Sequence, residues 1–140
     1  MNSAPNTTNF AMVGLGRMGA NIVRRLAKRG IKSTVFDLSA EAVAALGAEG
    51  AITSSSIADL AAKLPTPRTG WVMVPASVTE STIAEVAQHL SAGDTIIDGG
   101  NSYYKNDLKN AELLKAKGIN FVDVGTSGGV YGLERGYSLM

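Results

Sequence analysis

Phe10-Ala11-Met12-Val13-Gly14-Leu15-Gly16-Arg17-Met18-Gly19 sets a compact apolar run directly ahead of three glycines in the pattern G-x-G-x-x-G. The run ends in glycine, as a strand buried on both faces does. Ile22, Val23, Leu26 and Ala27 follow at helical spacing, and Gly30 stands where that helix would stop. Alone the glycine pattern is weak, because glycines are common in tight turns. Between a strand and a helix it gains a mechanism. Gly14 permits a sharp turn, Gly16 lets the backbone approach a pyrophosphate, and Gly19 allows close helix–sheet packing. The helix start then offers unpaired N–H groups and a partial positive charge to phosphates. Leu15, Arg17 and Met18 complete the candidate loop. The competing reading is a structural turn without a ligand.

Outward from this unit the same alternation continues. Thr34, Val35 and Phe36 form a second strand candidate closed by Asp37. Ser39 is placed to cap a short helix carrying Val43 and Leu46, with Gly47 as its stop. Ala51 and Ile52 suggest a short third strand. Ser56 and Asp59 have capping-box spacing, with Ile57, Leu60, Ala61 and Leu64 as the buried stripe and Pro65 and Pro67 as the terminator. Residues 71–74 and 95–98 read as strands, and a helix between them carries Ile83, Val86, Ala87 and Leu90. Leu108, Ala111 and Leu114 mark one more helix, which Gly118 ends, and residues 121–124 give a sixth strand. Strands alternating with helices of this length imply parallel βαβ units. The expected fold is α/β: a Rossmann-like, doubly wound parallel sheet with helices on both faces.

A chain of 140 residues fits one domain and buries about 68–70% of its unfolded surface. Hydrophobic residues are 45% and charged residues 18% of the chain, and 13 Lys and Arg stand against 12 Asp and Glu. The net charge of +1 gives no reason to expect nucleic acid or an anionic membrane as partner. Without cysteine there is no disulfide framework and no thiolate metal site, and no metal is expected. Residues 1–9 lack the charged start and apolar run of a secretory signal and read as a flexible tail, leaving residues 10–140 as the domain. No stretch has the length of a transmembrane helix, so a cytoplasmic location is the expectation.

Asp37 lies eighteen residues after Gly19, where an acid accepts hydrogen bonds from an adenosine ribose. Its charge would also oppose a 2′-phosphate. Two unit charges about 4 Å apart interact by up to roughly 4 kcal/mol at an effective dielectric near 20. NAD is therefore expected over NADP, unless Asp37 merely caps the following turn. Arg17 either contacts pyrophosphate or adenine, or is solvated. Arg24, Arg25, Lys28 and Arg29 read as a solvated helix face, and the last two complement the helix C-terminus. His89, the only histidine, falls near a helix end and away from the expected ligand crevice. Met12 and Met18 read as packing residues, and Asp98 and Asp123 as strand-end loop organisers rather than an acid–base pair. Two glycine-rich stretches follow strands late in the chain: Asp98-Gly99-Gly100-Asn101-Ser102-Tyr103-Tyr104-Lys105, and Gly125-Thr126-Ser127-Gly128-Gly129-Val130-Tyr131-Gly132-Leu133-Glu134-Arg135-Gly136. Outside strand carboxyl ends, such loops present backbone N–H groups to an anionic substrate.

Together these stretches resemble the 6-phosphogluconate dehydrogenase family, in its short NAD-type branch. The resemblance runs over the whole chain after the tail, carried by residues 14–19, 98–105 and 127–140. It implies that Asn101 contacts cofactor and substrate, and that Ser127, Gly128 and Gly129 bind the sugar acid. It also implies that Val74, Pro75 and Ala76 lie against the nicotinamide end. Asn101 and Ser127 are then the candidates for orienting the reacting group. Members using NADP typically carry Asn-Arg-Thr where this chain has Asp37-Leu38-Ser39, and the long form has acidic residues in place of Val130-Tyr131. The family's catalytic lysine and glutamate fall beyond the position of Met140, so a C-terminal helical catalytic domain is expected outside this chain. The implied full-length protein is a homo-oligomer that oxidises C3 of 6-phosphogluconate, releases carbon dioxide and yields ribulose 5-phosphate. A β-hydroxyacid dehydrogenase acting on a smaller acid, such as 3-hydroxyisobutyrate, is the first alternative. Its relatives usually lack the Gly-Gly-Asn-Ser-Tyr-Tyr-Lys pattern. A non-catalytic dinucleotide-sensing module is the second.

Overall fold

The computed structural model describes residues 7–100, 104–128 and 132–139. Six strands form one parallel sheet: β1 (Thr7–Val13), β2 (Lys32–Phe36), β3 (Ile52–Thr53), β4 (Thr69–Val72), β5 (Thr95–Asp98) and β6 (Asn120–Asp123). Their order across the sheet is β3-β2-β1-β4-β5-β6, so the winding reverses between β1 and β4. That reversal is the switch point at which open α/β sheets hold ligands.

Strand alternation divides the core in two. Met12, Val35 and Trp71 face α1 (Arg17–Lys28) and α2 (Ala40–Ala48), packing with Ala20, Ile22, Val23 and Leu46. Ala11, Val13, Val72 and Ile96 face the opposite side, against α3 (Ile57–Ala62), α4 (Ala76–Gln88) and α5 (Tyr104–Ala116). Each buried Leu, Ile or Val there contributes about 1.5–3 kcal/mol over an exposed one, so both helical layers are fixed to the sheet. The expected caps form as read. Ser39 Oγ accepts from Ala42 N–H at the start of α2, and Ser56 Oγ from Asp59 N–H at the start of α3.

Several details differ from the sequence reading. β1 begins at Thr7, inside the stretch read as a tail, because Thr7 pairs with Lys32 of β2. A polar stretch gives no hydrophobic signal for that pairing. β4 spans Thr69–Val72 rather than residues 71–74, since the chain turns at Pro75 to begin α4. α2 runs on to Ala48 and turns at Gly50, φ +104°, instead of stopping at Gly47. Among the described positions of α5, Asn110 and Leu114, four apart, are buried, while Leu108 is exposed on the other side. Beyond β6 the chain also forms β7 (Thr126–Ser127), α6 (Gly132–Arg135) and β8 (Ser138–Leu139), with β7 and β8 antiparallel.

Candidate dinucleotide site

The glycine loop emerges from β1 at the switch point, and its three glycines hold three different positions. Gly14 has φ +103°, a conformation that L side chains rarely adopt, and a Cβ there would overlap the Met73 carbonyl of the neighbouring strand end. A Cβ on Gly19 would overlap the Gly14 carbonyl and reach to 3.6 Å from Met12 Cγ. That closeness is what lets α1 lie against the loop. Around Gly16, by contrast, a Cβ would meet nothing within 4 Å. The middle glycine borders open space, as a backbone approached by a ligand must.

Gly16 is also the N-cap of α1, and it makes no side-chain cap. The helix's first hydrogen bond runs from Ala20 N–H to the Gly16 carbonyl at 2.9 Å. The N–H groups of Arg17, Met18 and Gly19 therefore precede any intrahelical acceptor. No acidic residue stands in this first turn to compete with an anion. Arg17 is exposed at the loop, whereas Leu15 is buried in the core and Met18 half-buried. The loop is tied to the end of β2 by two bonds: Gly14 N–H donates to Phe36 O at 2.9 Å, and Leu15 N–H to Asp37 Oδ2 at 2.6 Å.

Asp37 Oδ1 accepts from Ser39 N–H at 2.8 Å. Asp37 thus does cap the following turn, and it also binds the glycine loop. Neither bond uses up the acceptor capacity of the carboxylate. An ionised carboxylate has about four acceptor sites and these bonds use two. Both bonds hold the carboxylate rigidly at the carboxyl end of β2. From Asp37 a cleft of about 830 Å³ opens along α2 toward β3 and α3. Leu38, 95% exposed, stands at its edge as an apolar surface.

The next strand ends complete the crevice. Pro75 is the N-cap of α4, with Val74 half-buried and Pro75 and Ala76 exposed. Thr79, buried on α4, donates from Oγ1 to the Pro75 carbonyl at 3.1 Å and steadies this turn. A Cβ on Gly99 would overlap the Trp71 indole nitrogen, and one on Gly100 would lie 3.1 Å from the Val74 carbonyl. Gly99 and Gly100 are therefore needed for close packing of the β4 and β5 ends, a requirement hidden from local sequence. Asp98 is fully buried and accepts from Gly100 N–H through Oδ1 at 3.0 Å. It organises the loop, as read. At the last loop Gly128 has φ +152°, and Tyr137 lies where a Cβ on Gly128 or Gly132 would stand. Asn101, Gly129 and the side chain of Ser127 lie outside the described residues.

Two expectations about α1 and α4 are settled by contacts. Arg24 and Arg25 are not simply solvated. Arg24 pairs with Glu49 at 2.9 Å, and its hydrogen bond holds the Glu49 carboxyl below its usual range. Arg25 donates to the Leu133 carbonyl at 3.1 Å and so ties α6 to α1. Lys28 and Arg29 are exposed, as read. His89 is the C-cap of α4, at the end of the helix remote from the crevice. No cluster of three or more metal-ligating side chains occurs among the described residues, and no described helix is long and apolar enough to cross a membrane.

The family described as the NAD binding domain of 6-phosphogluconate dehydrogenase matches residues 9–140. The chain belongs to this family. A Haloferax volcanii protein named 6-phosphogluconate dehydrogenase, NAD(+)-dependent, decarboxylating is 42% identical over 132 residues, 94% of this chain and 43% of the relative. The Plasmodium falciparum 6-phosphogluconate dehydrogenase structure superposes with a TM-score of 0.86 at 27% identity, covering 94% of this chain and 30% of that one. A 3-hydroxyisobutyrate dehydrogenase from Salmonella typhimurium gives 0.81 at 25% identity, over 94% of this chain and 46% of that one. The chain thus spans less than half the length of these relatives. Its relatives are dehydrogenases, and its sheet order and glycine loop are those of an NAD-binding domain.

Proposed function

We propose that this chain is the cofactor domain of an NAD-dependent 6-phosphogluconate dehydrogenase. The observation that carries the reading is the contrast within residues 14–19. Gly14 and Gly19 are hemmed in by backbone, while Gly16 faces open space at the head of an uncapped helix. That arrangement suits a pyrophosphate. Asp37 accepts the adenosine ribose hydroxyls, and the loop of Val74, Pro75 and Ala76 takes the nicotinamide end. Bound NAD supplies the hydride acceptor.

The substrate side is formed by Asn101 with Ser127, Gly128 and Gly129. These groups orient the sugar acid, while the proton-transferring lysine and glutamate come from a helical domain C-terminal to this one. The full-length protein oxidises and decarboxylates 6-phosphogluconate as a cytoplasmic homo-oligomer. The name of the Haloferax relative supports this substrate over a smaller β-hydroxyacid, because it shares 42% identity against 25% for the 3-hydroxyisobutyrate enzyme.

Calorimetric titration with NAD and NADP tests the cofactor assignment. NAD is expected to bind at least about tenfold tighter, a gap of about 1.4 kcal/mol. Equal affinities, or a preference for NADP, would remove Asp37 from the ribose.

A further inference from the structure

The cleft that opens from Asp37 contains one other acid, Asp59, and a single cation, Lys63, among its described lining residues. Lys63 is not waiting for a ligand. Its Nζ donates to the Thr53 carbonyl at 2.6 Å and pairs with Asp59 Oδ2 at 3.0 Å. Asp59 is itself held in place. Oδ2 accepts from Ser55 N–H at 2.9 Å and lies 3.3 Å from Ser55 Oγ. The Ser55 N–H and the Lys63 ammonium keep the carboxyl below its usual range, so it stays charged at neutral pH.

A 2′-phosphate on the adenosine ribose carries about −1.5 to −2 charge. Such a group, attached at the hydroxyl nearest Asp37, would project toward this cleft and need a cation there. The fold supplies a lysine and then occupies it. Discrimination between two ligands arises as much from withholding a partner from one as from contacts to the other. We propose that Asp59 is a second determinant of cofactor choice, acting by tying Lys63 down so that a 2′-phosphate finds two carboxylates and no available ammonium. The proposal rests on the reading that Asp37 holds the adenosine ribose.

Asp59→Asn tests it. The asparagine amide oxygen still accepts from Ser55 N–H, and the Ser56 cap of α3 is untouched, but the charge that holds Lys63 is gone. The measurement is calorimetry with NAD and NADP on this chain at about 0.1 M ionic strength, where charges separated by less than about 10 Å still interact. The NADP dissociation constant should fall about three- to fivefold relative to that of NAD, the size of effect that exposed charge pairs produce. Lys63→Ala alone should leave the ratio near that of the unaltered chain. Asp59→Asn combined with Lys63→Ala should abolish the gain. An unchanged ratio in Asp59→Asn overturns the proposal, and so does a gain that survives loss of Lys63. Asp59→Ser is read in the same way if circular dichroism shows the asparagine variant unfolded. Asp37→Ala separates this failure from failure of the underlying reading. If Asp37→Ala weakens NAD while Asp59→Asn leaves the ratio flat, only the role of Asp59 falls. If Asp37→Ala changes neither dinucleotide, the ribose assignment falls and the role of Asp59 with it.

Discussion

Gly14 and Gly16 stand two residues apart and should answer an added methyl group in opposite ways. At Gly14 the added carbon meets the Met73 carbonyl, in a backbone with φ +103°. Gly14→Ala is expected to destabilise the fold by about 3 kcal/mol or more, since strain and overlap act together. Urea denaturation measures it, and a loss below about 1 kcal/mol would mean the turn relaxes more easily than its contacts suggest. Gly16→Val places its side chain in open space. It should leave the circular dichroism spectrum largely unchanged and abolish NAD binding, because the side chain would fill the space proposed for the pyrophosphate. Normal NAD binding by that variant would move the phosphate site elsewhere. These two residues were legible in sequence because their spacing carries the mechanism. Gly99 and Thr79 were not. The first is dictated by an indole 28 positions earlier in the chain, and the second by a proline carbonyl one helical turn back.

Among the elements, the strands and helices that hydrophobic periodicity could mark were found, and the pieces held by polar contacts were missed or misplaced. The start of β1, the short β7 and α6 belong to the second group. So does the clasp between Arg68 and Asp94 at the amino ends of β4 and β5, the end of the sheet away from the glycine loop. Asp94 accepts from the backbone N–H groups of Arg68 and Ser91 at 2.7 and 2.8 Å and from Arg68 Nε at 2.9 Å. Burial alone would push its carboxyl up, but those N–H groups and the guanidinium together hold it below the usual range. A carboxyl so depressed stabilises the fold fully above its unfolded value of about 3.9. That contribution is lost as pH falls through the lower folded value. Acid should therefore weaken the protein from about pH 4 downward, and Asp94→Asn should flatten this part of the profile. At neutral pH the same variant takes the carboxylate charge from the half-buried Arg68, which keeps its bonds to the Ala61 carbonyl and Ser91 Oγ, at a cost of about 1.5–3 kcal/mol. Urea unfolding at several pH values checks both effects. An unaltered acid limb in the variant would assign that limb to other carboxylates. NAD affinity should not change, because the clasp lies at the far end of the sheet.

At the scale of the whole molecule, the parallel sheet sorts recognition from support. Glycine loop, Asp37, the Val74–Pro75–Ala76 turn and Gly99-Gly100 all lie at strand carboxyl ends, whereas the Arg68–Asp94 clasp and His89 lie at the other. This sorting was legible because alternating strands and helices force the parallel topology. The placement of Tyr137 against Gly128 and Gly132 was not legible, because it follows from no periodic pattern. The arrangement leads to a prediction about chemistry: this chain binds NAD without turning over 6-phosphogluconate. Oxidising an alcohol requires a base for the hydroxyl proton, and a later step requires an acid to protonate an enediol. His89, Asp98 and Asp37 are poorly placed for either role. His89 is at the wrong end of α4, Asp98 is fully buried and engaged with Gly100, and Asp37 is held by Leu15 and Ser39. Asn101 and Ser127 suit orientation rather than proton transfer near neutral pH. The test compares this chain with a full-length relative at matched concentration, following NADH absorbance after 6-phosphogluconate is added to NAD. Calorimetry on the same samples establishes that the chain is loaded. NAD binding without NADH formation is the expected result. Steady turnover by the chain alone would place a base within these 140 residues and reassign either Asn101's neighbourhood or Asp123 to the chemistry.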